Sequence, residues 1–132
     1  MLVIRDEQMA VFSQYQLGQY ENKVVNFLQT NFIDAQQKSV AQLKPFVHEQ
    51  VEKARSYELL TERQIVVYIT VAWLLGKTFD TYFWEAADGL AASHYHTADE
   101  KSKWLAEWAR EKLIMLYHAG RMSNLEAWKQ EL

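Results

Sequence analysis

Apolar residues recur in this chain at three- and four-residue intervals, and the first long run of them is Met9, Phe12, Tyr20, Val24, Phe27 and Leu28, with Gln16 as the gap. Arg5-Asp6-Glu7-Gln8 reads as the first turn, with its acids at the positive end of the helix dipole. The pattern predicts a helix from Asp6 to Asn31, preceded by a short extended lead, Leu2-Val3-Ile4. Gly18 falls inside that helix, where it costs about 1 kcal/mol against alanine and marks a bend or a close packing point.

A second stripe, Leu43, Val47, Val51 and Ala54, carries a favourable Glu49/Lys53 pair and ends near Tyr57. From Ile65 to Leu75 only Thr70 is polar, so this helix is apolar nearly all round and is expected to be the central element, ended by Gly76. Thr78-Phe79-Asp80 reads as a turn, with Asp80 or Thr81 capping a short helix to about Asp88. Phe79 and Trp84 should pin that turn to the core. Gly89 to His96 is the least patterned stretch. A long helix follows from Thr97 to Ala119, stopped by Gly120, and a last short one places Leu125, Trp128 and Leu132 on one face to dock on the body.

Four capping boxes punctuate this pattern: Ser39/Gln42, Thr61/Gln64, Thr97/Glu100 and Ser123/Glu126. In each, the hydroxyl accepts from the third helical N–H while the later side chain reaches back to the cap's own N–H. Pro45 objects to a helix running straight from Ser39, because it lacks the N–H that would bond to Ala41. The favoured expectation is an isolated turn at Ser39 and a main helix starting at Pro45; the alternative is a kink.

On a helical wheel, Trp104, Trp108, Met115, Leu105, Leu116, Ala109 and Leu113 form a broad apolar arc that Lys112 interrupts by snorkelling. Ile114 lies outside the arc among Glu107, Arg110 and Lys103, with Tyr117 at its edge. Ile114 is either covered by the Ser123 helix, the favoured reading, or left as a contact point.

Composition narrows the function classes. The chain has no cysteine, which removes thiol catalysis, disulfides and most structural zinc sites. Its opening lacks the basic and apolar regions of a signal peptide, and Ile65–Leu75 is too short for the roughly 20 residues a bilayer requires. A cytoplasmic protein without membrane insertion is the simplest expectation. The net charge of −3 and scattered lysines and arginines give no footprint for nucleic acid. Five tryptophans and seven tyrosines are many for one small domain; they fill a bulky core or form a partner surface.

Candidate chemistry is thin. His94-Tyr95-His96, with Asp99 and Glu100 behind, could supply metal ligands, although a polar surface loop is the plainer reading. Glu85 and Asp88, with Asp80 near, could serve as acid and base, or simply solvate a short helix. Ser93 beside His94 is adjacent in sequence only, and no glycine-rich phosphate loop is present. Lys101-Ser102-Lys103-Trp104 interleaves bases with an aromatic, but its acidic neighbours argue against nucleic acid.

Three groups of residues, taken in order, resemble one family. They are Ile4-Arg5-x-Glu7-Gln8-Met9-x-x-Phe12; Ala54-Arg55-Ser56-Tyr57 and Thr61-Glu62-Arg63 leading into Val67-Tyr68-Ile69; and Gly76-x-x-Phe79-Asp80 followed by Trp84. This order is similar to that of small helical proteins encoded beside spike-tip and effector genes of bacterial type VI secretion clusters. It spans roughly Ile4 to Tyr117. The resemblance implies an accessory role, as co-chaperone or adaptor for an effector, or an immunity partner; it implies no catalytic residues. The same residues also serve as helix starts, corners and core anchors in any protein of this shape.

The expectation is therefore an all-α single domain over residues 1–132, a compact bundle of five or six helices around Ile65–Leu75. It should be a non-enzymatic interaction module without cofactor or metal, binding a protein partner such as an effector, a spike-tip protein or an effector chaperone. Trp104, Trp108, Ile114 and Tyr117 are the candidate partner-binding residues. An immunity protein that blocks a toxin, a metal-dependent enzyme around His94 and His96, and a homodimer formed through the aromatic patch stand as alternatives.

Overall fold

The computed structural model describes residues 14–91, 97–120, 128–129 and 132. Among these the protein is all-α, with no strand. Its helices are α1 (Gln14–Asn31), α2 (Ile33–Gln36), α3 (Val40–Ser56), α4 (Glu62–Leu75), α5 (Phe79–Tyr82), α6 (Trp84–Ala91) and α7 (Ala98–His118). The count of seven among the described residues exceeds the expected five or six because α2 and α5 are single turns. The expected start at Asp6, with Met9 and Phe12, lies outside the described residues, as do Leu2–Ile4, His94, His96 and the Ser123 cap.

Three capping boxes form as the sequence pattern requires. The hydroxyls of Ser39, Thr61 and Thr97 accept from the N–H groups of Gln42, Gln64 and Glu100 at 3.2, 3.1 and 3.1 Å, and each partner side chain returns to the cap N–H. One expectation fails here. Ser39 opens the whole of α3, which continues through Pro45 to Ser56. The ring costs one hydrogen bond to Ala41, but Pro45 and Ala41 are both exposed, so water can reach the freed carbonyl. Leu43, Phe46, Val47 and Val51 on the other face are buried and hold the helix in place.

α3 ends in a Schellman motif. The Leu59 N–H bonds to Ala54 O at 3.1 Å and the Glu58 N–H to Arg55 O at 3.0 Å. Glu58 takes the left-handed position, φ 68°, where glycine is usual, and Leu59 is fully buried beneath it. Thr61 then caps α4, ten of whose fourteen residues are buried. α4 packs against α1, α3, α5 and α7. Full burial of a valine, leucine or isoleucine side chain is worth about 1.5–3 kcal/mol, so this helix contributes a large share of the driving force. Gly76 stops it with φ 111°.

After Gly76 the chain departs from expectation. Asp80 does not cap a helix. It is buried within α5, where its carboxylate accepts from the Tyr57 hydroxyl at 2.7 Å and from Lys53 Nζ at 3.3 Å. Phe79 does pin the turn and is fully buried, but Trp84 is 74% exposed and pins nothing. Gly89–Ala91 belongs to α6.

α7 is anchored by a buried charge. Lys101 is only 2% exposed, and its Nζ donates to Tyr57 O and Leu90 O, each at 2.8 Å. These carbonyls lie at the C-terminal ends of α3 and α6, where helix dipoles favour a cation and where intrahelical donors run out. Burial lowers the Lys101 pKa, opposed by the charge of Glu58. The C-terminal chain docks as expected for Trp128 and Leu132, both partly buried against the core. Trp128 stacks on Phe46 at 5.3 Å and meets Trp73 edge-on at 5.7 Å. Lys129 Nζ sits 4.3 Å over the Trp73 ring and bonds to Asp34. Burial works against the Asp34 charge, but Lys129 and the Trp73 N–H hold its carboxyl below the usual carboxylate range.

At Gly89, α6 packs closely against the Trp104 ring of α7. A Cβ added there would lie 2.1 Å from the Trp104 ring. Gly89→Ala should therefore destabilise the protein by about 1–3 kcal/mol in urea unfolding. Trp104→Leu should restore much of the loss in the double variant by vacating the clash.

Candidate interaction groove

α1 and α7 both pack on α4, and an apolar groove of about 530 Å³ lies between them. Its floor is α4: Val66, Val67, Thr70, Val71 and Leu74. Phe27 forms the α1 wall, and Ala106, Ala109, Arg110, Leu113 and Ile114 form the α7 wall. Val67, Thr70 and Leu74 follow the i, i+3, i+7 spacing of one helix face, so the floor is a continuous stripe. Thr70 brings no free donor, because its hydroxyl bonds back to Val66 O at 2.7 Å. Arg110 is exposed on the rim and makes no ion pair with any described residue.

The four residues expected to bind a partner divide between two sides of α7. Ile114 lines the groove and is 48% exposed; the Ser123 helix expected to cover it lies outside the described residues. Tyr117, 71% exposed, lies three residues on and so extends the same face by one turn. Trp104 and Trp108 lie on the opposite flank, stacked on each other at 6.2 Å. Trp108 also packs against Phe79 and Phe83 at 6.3 and 5.5 Å, which places it in the seam with α5 and α6. Met115, expected in the buried arc, is instead exposed. The core-facing residues of α7 include Leu105, Ala109 and Leu116, and Met115 lies too far round from them.

The groove is not legible in the sequence because three helices make it: α4 the floor, α1 and α7 the walls. Its one local signal is Thr70, the single polar residue between Ile65 and Leu75, which marks the side of α4 left partly open. Tyr82 and Trp84, both exposed, form a separate aromatic edge on α5 and α6.

Several of the residues considered for chemistry make structural pairings, while His94 and His96 lie outside the described residues. Lys112 snorkels as expected, lying 5.4 Å from the Phe83 ring centre and ending 3.0 Å from Glu85. This bond and the backbone hold the half-buried Glu85 carboxyl below the usual range. Asp88 is exposed and makes no ion pair with a described residue, while Asp99 pairs with Lys103 at 3.0 Å. Asp80 is closed in by Tyr57, Lys53 and the core, so substrate has no path to it. His48 pairs with Glu21 at 2.6 Å. Among the described residues no group of three or more His, Asp or Glu side chains is placed to hold a metal ion, and no helix is long and apolar enough to cross a membrane. No family model, curated protein or solved structure matches the chain.

Three buried tyrosines predict a response to alkali. Burial pushes the phenols of Tyr20, Tyr57 and Tyr68 well above the usual value near 10, helped by Glu62 for Tyr20 and by Asp80 for the other two. The folded protein keeps these protons where the unfolded chain loses them. Their contribution is complete below about pH 10 and is lost as pH rises beyond it. Lys101 acts with the opposite sign, since its lowered pKa makes folding release a proton just below the usual lysine value. Three phenols outweigh one amine, so the urea midpoint should fall steadily between about pH 10 and 12, and less steeply in Tyr57→Phe. A flat midpoint over that range would contradict this assignment.

Proposed function

We propose that the protein is a non-enzymatic interaction module that holds a protein partner in the groove between α1 and α7. The observation that carries this reading is the groove itself: an apolar trough over α4, continued along α7 by exposed Ile114 and Tyr117. Contiguous apolar surface rimmed by polar residues is characteristic of interaction sites in soluble domains. Tyr and Ile on a rigid helix lose little entropy on contact and so suit an anchor role. In this reading α4 is the central helix of a single bundle, and the walls exist to present its open face.

The resemblance to type VI accessory proteins supports a narrower version. The partner is then an effector, a spike-tip protein or an effector chaperone in the bacterial cytoplasm, and the protein acts as co-chaperone or adaptor. An immunity protein would use the same surface to block a toxin, and growth separates the two. An immunity protein rescues cells that express the toxin; an adaptor does not.

The test is co-purification of the tagged chain with its partner from the native cell. The Ile114→Glu, Tyr117→Ala double variant should retain the unfolding midpoint of the parent, because both side chains are largely exposed. It should lose partner recovery at least about tenfold, as expected when two interface anchors are removed. Undiminished recovery by a folded double variant would end the reading.

A further inference from the structure

We propose that the groove takes an amphipathic helix from the partner, presenting about two turns of apolar stripe to α4 and a carboxylate to Arg110; this rests on the interaction reading above. Three observations select that occupant. First, the floor offers no backbone hydrogen bonds. It is an α-helix whose N–H and C=O groups are used internally, and Thr70, its one polar side chain, is bonded to Val66. An extended peptide laid there would leave its own backbone unpaired against apolar side chains, whereas a helix arrives with its backbone already satisfied. Secondly, the floor from Val66 to Leu74 is about 12 Å long, the length of two helical turns. Walls on α1 and α7 flank it as neighbouring helices flank a missing member of a bundle.

Thirdly, the rim has one sign of charge to offer. Among the described residues, Arg110 is the only charged one lining the groove, and it has no carboxylate partner there. Its nearest acids by helical position are Glu107 and Glu111, neither within ion-pair distance. Lys23, one turn before Phe27 on the α1 side, already lies 3.8 Å from Glu62. A helix whose apolar stripe is flanked by an acid would meet Arg110 at the edge of the apolar contact, where a charge pair adds specificity.

The test uses the full chain and two synthetic helical peptides. Both carry leucines at i, i+3, i+4 and i+7; one has glutamate flanking the stripe and the other has lysine at the same positions. The glutamate peptide should bind about fivefold or more tightly than the lysine peptide by fluorescence anisotropy. Arg110→Glu should reverse that order. Methyl NMR shifts should concentrate on Val67, Val71, Leu74, Leu113 and Ile114. The proposal falls if neither peptide moves those methyls, or if both bind equally and Arg110→Glu changes nothing. It also falls if the methyls shift with protein concentration alone, which would assign the groove to a second copy. Should the peptides fail while Ile114→Glu, Tyr117→Ala still releases the cellular partner, interaction stands and the helix assignment alone is lost.

Discussion

Lys101 brings a charge from the first turn of α7 into the interior and has two acceptors for it there, the carbonyls of Tyr57 and Leu90. A buried ammonium is costly unless it is hydrogen-bonded, so this pair of bonds limits where α7 can lie. Both acceptors are at helix ends, so one side chain closes α3 and α6 while anchoring α7. Tyr57 passes the constraint on. Its hydroxyl bonds to Asp80, which also accepts from Lys53, and Lys53 donates to Lys77 O at 2.8 Å. The end of α3, the turn after α4, and α5, α6 and α7 are therefore registered through one polar web. Glu58 belongs to it as well: it occupies a left-handed position at some cost in strain, and its charge supports the Lys101 ammonium.

Once α7 is set, its two flanks have different fates. The tryptophan flank turns toward α5 and α6 and is closed by stacked rings, with Gly89 making room for Trp104. The other flank faces α1 across the outer stripe of α4, and the wall residues there include Ala106 and Ala109, too short to fill the gap. The groove thus follows from the placement of α7 together with small residues on its inner edge. Trp104 and Trp108 therefore pack inward, while the large side chains left exposed beside the groove are an isoleucine and a tyrosine.

Local features of this architecture were legible in the sequence, and long-range ones were not. Thr61, Thr97 and Gly76 carry their meaning within four or five residues, and α4 and α7 begin or end where those residues say. Ser39 is also local, but Pro45 speaks against it. The outcome turned on burial of Phe46 and Val47 and on solvent beside Ala41, neither of which spacing reveals. Lys101 sits in a run of charged residues and looks like a solvated face; only tertiary structure brings Tyr57 O and Leu90 O to it. Asp80 and Trp84 exchanged roles for the same reason, the acid going inside because Lys53 and Tyr57 meet it there. The wheel placed Ile114 outside the apolar arc and Tyr117 at its edge, but the groove beside them needs Phe27 and α4, which are distant in sequence.

The most direct measurement is the urea unfolding of Lys101→Met, which keeps an unbranched apolar stem one atom shorter than lysine and removes its donors. Two carbonyls then lose their partner, and a loss of about 2 kcal/mol or more is expected. The methyl resonances of Val67 and Ile114 should move with it, because the groove depends on where α7 rests. A variant as stable as the parent or more so, with unshifted groove methyls, would show that apolar packing alone positions α7 and would contradict the account.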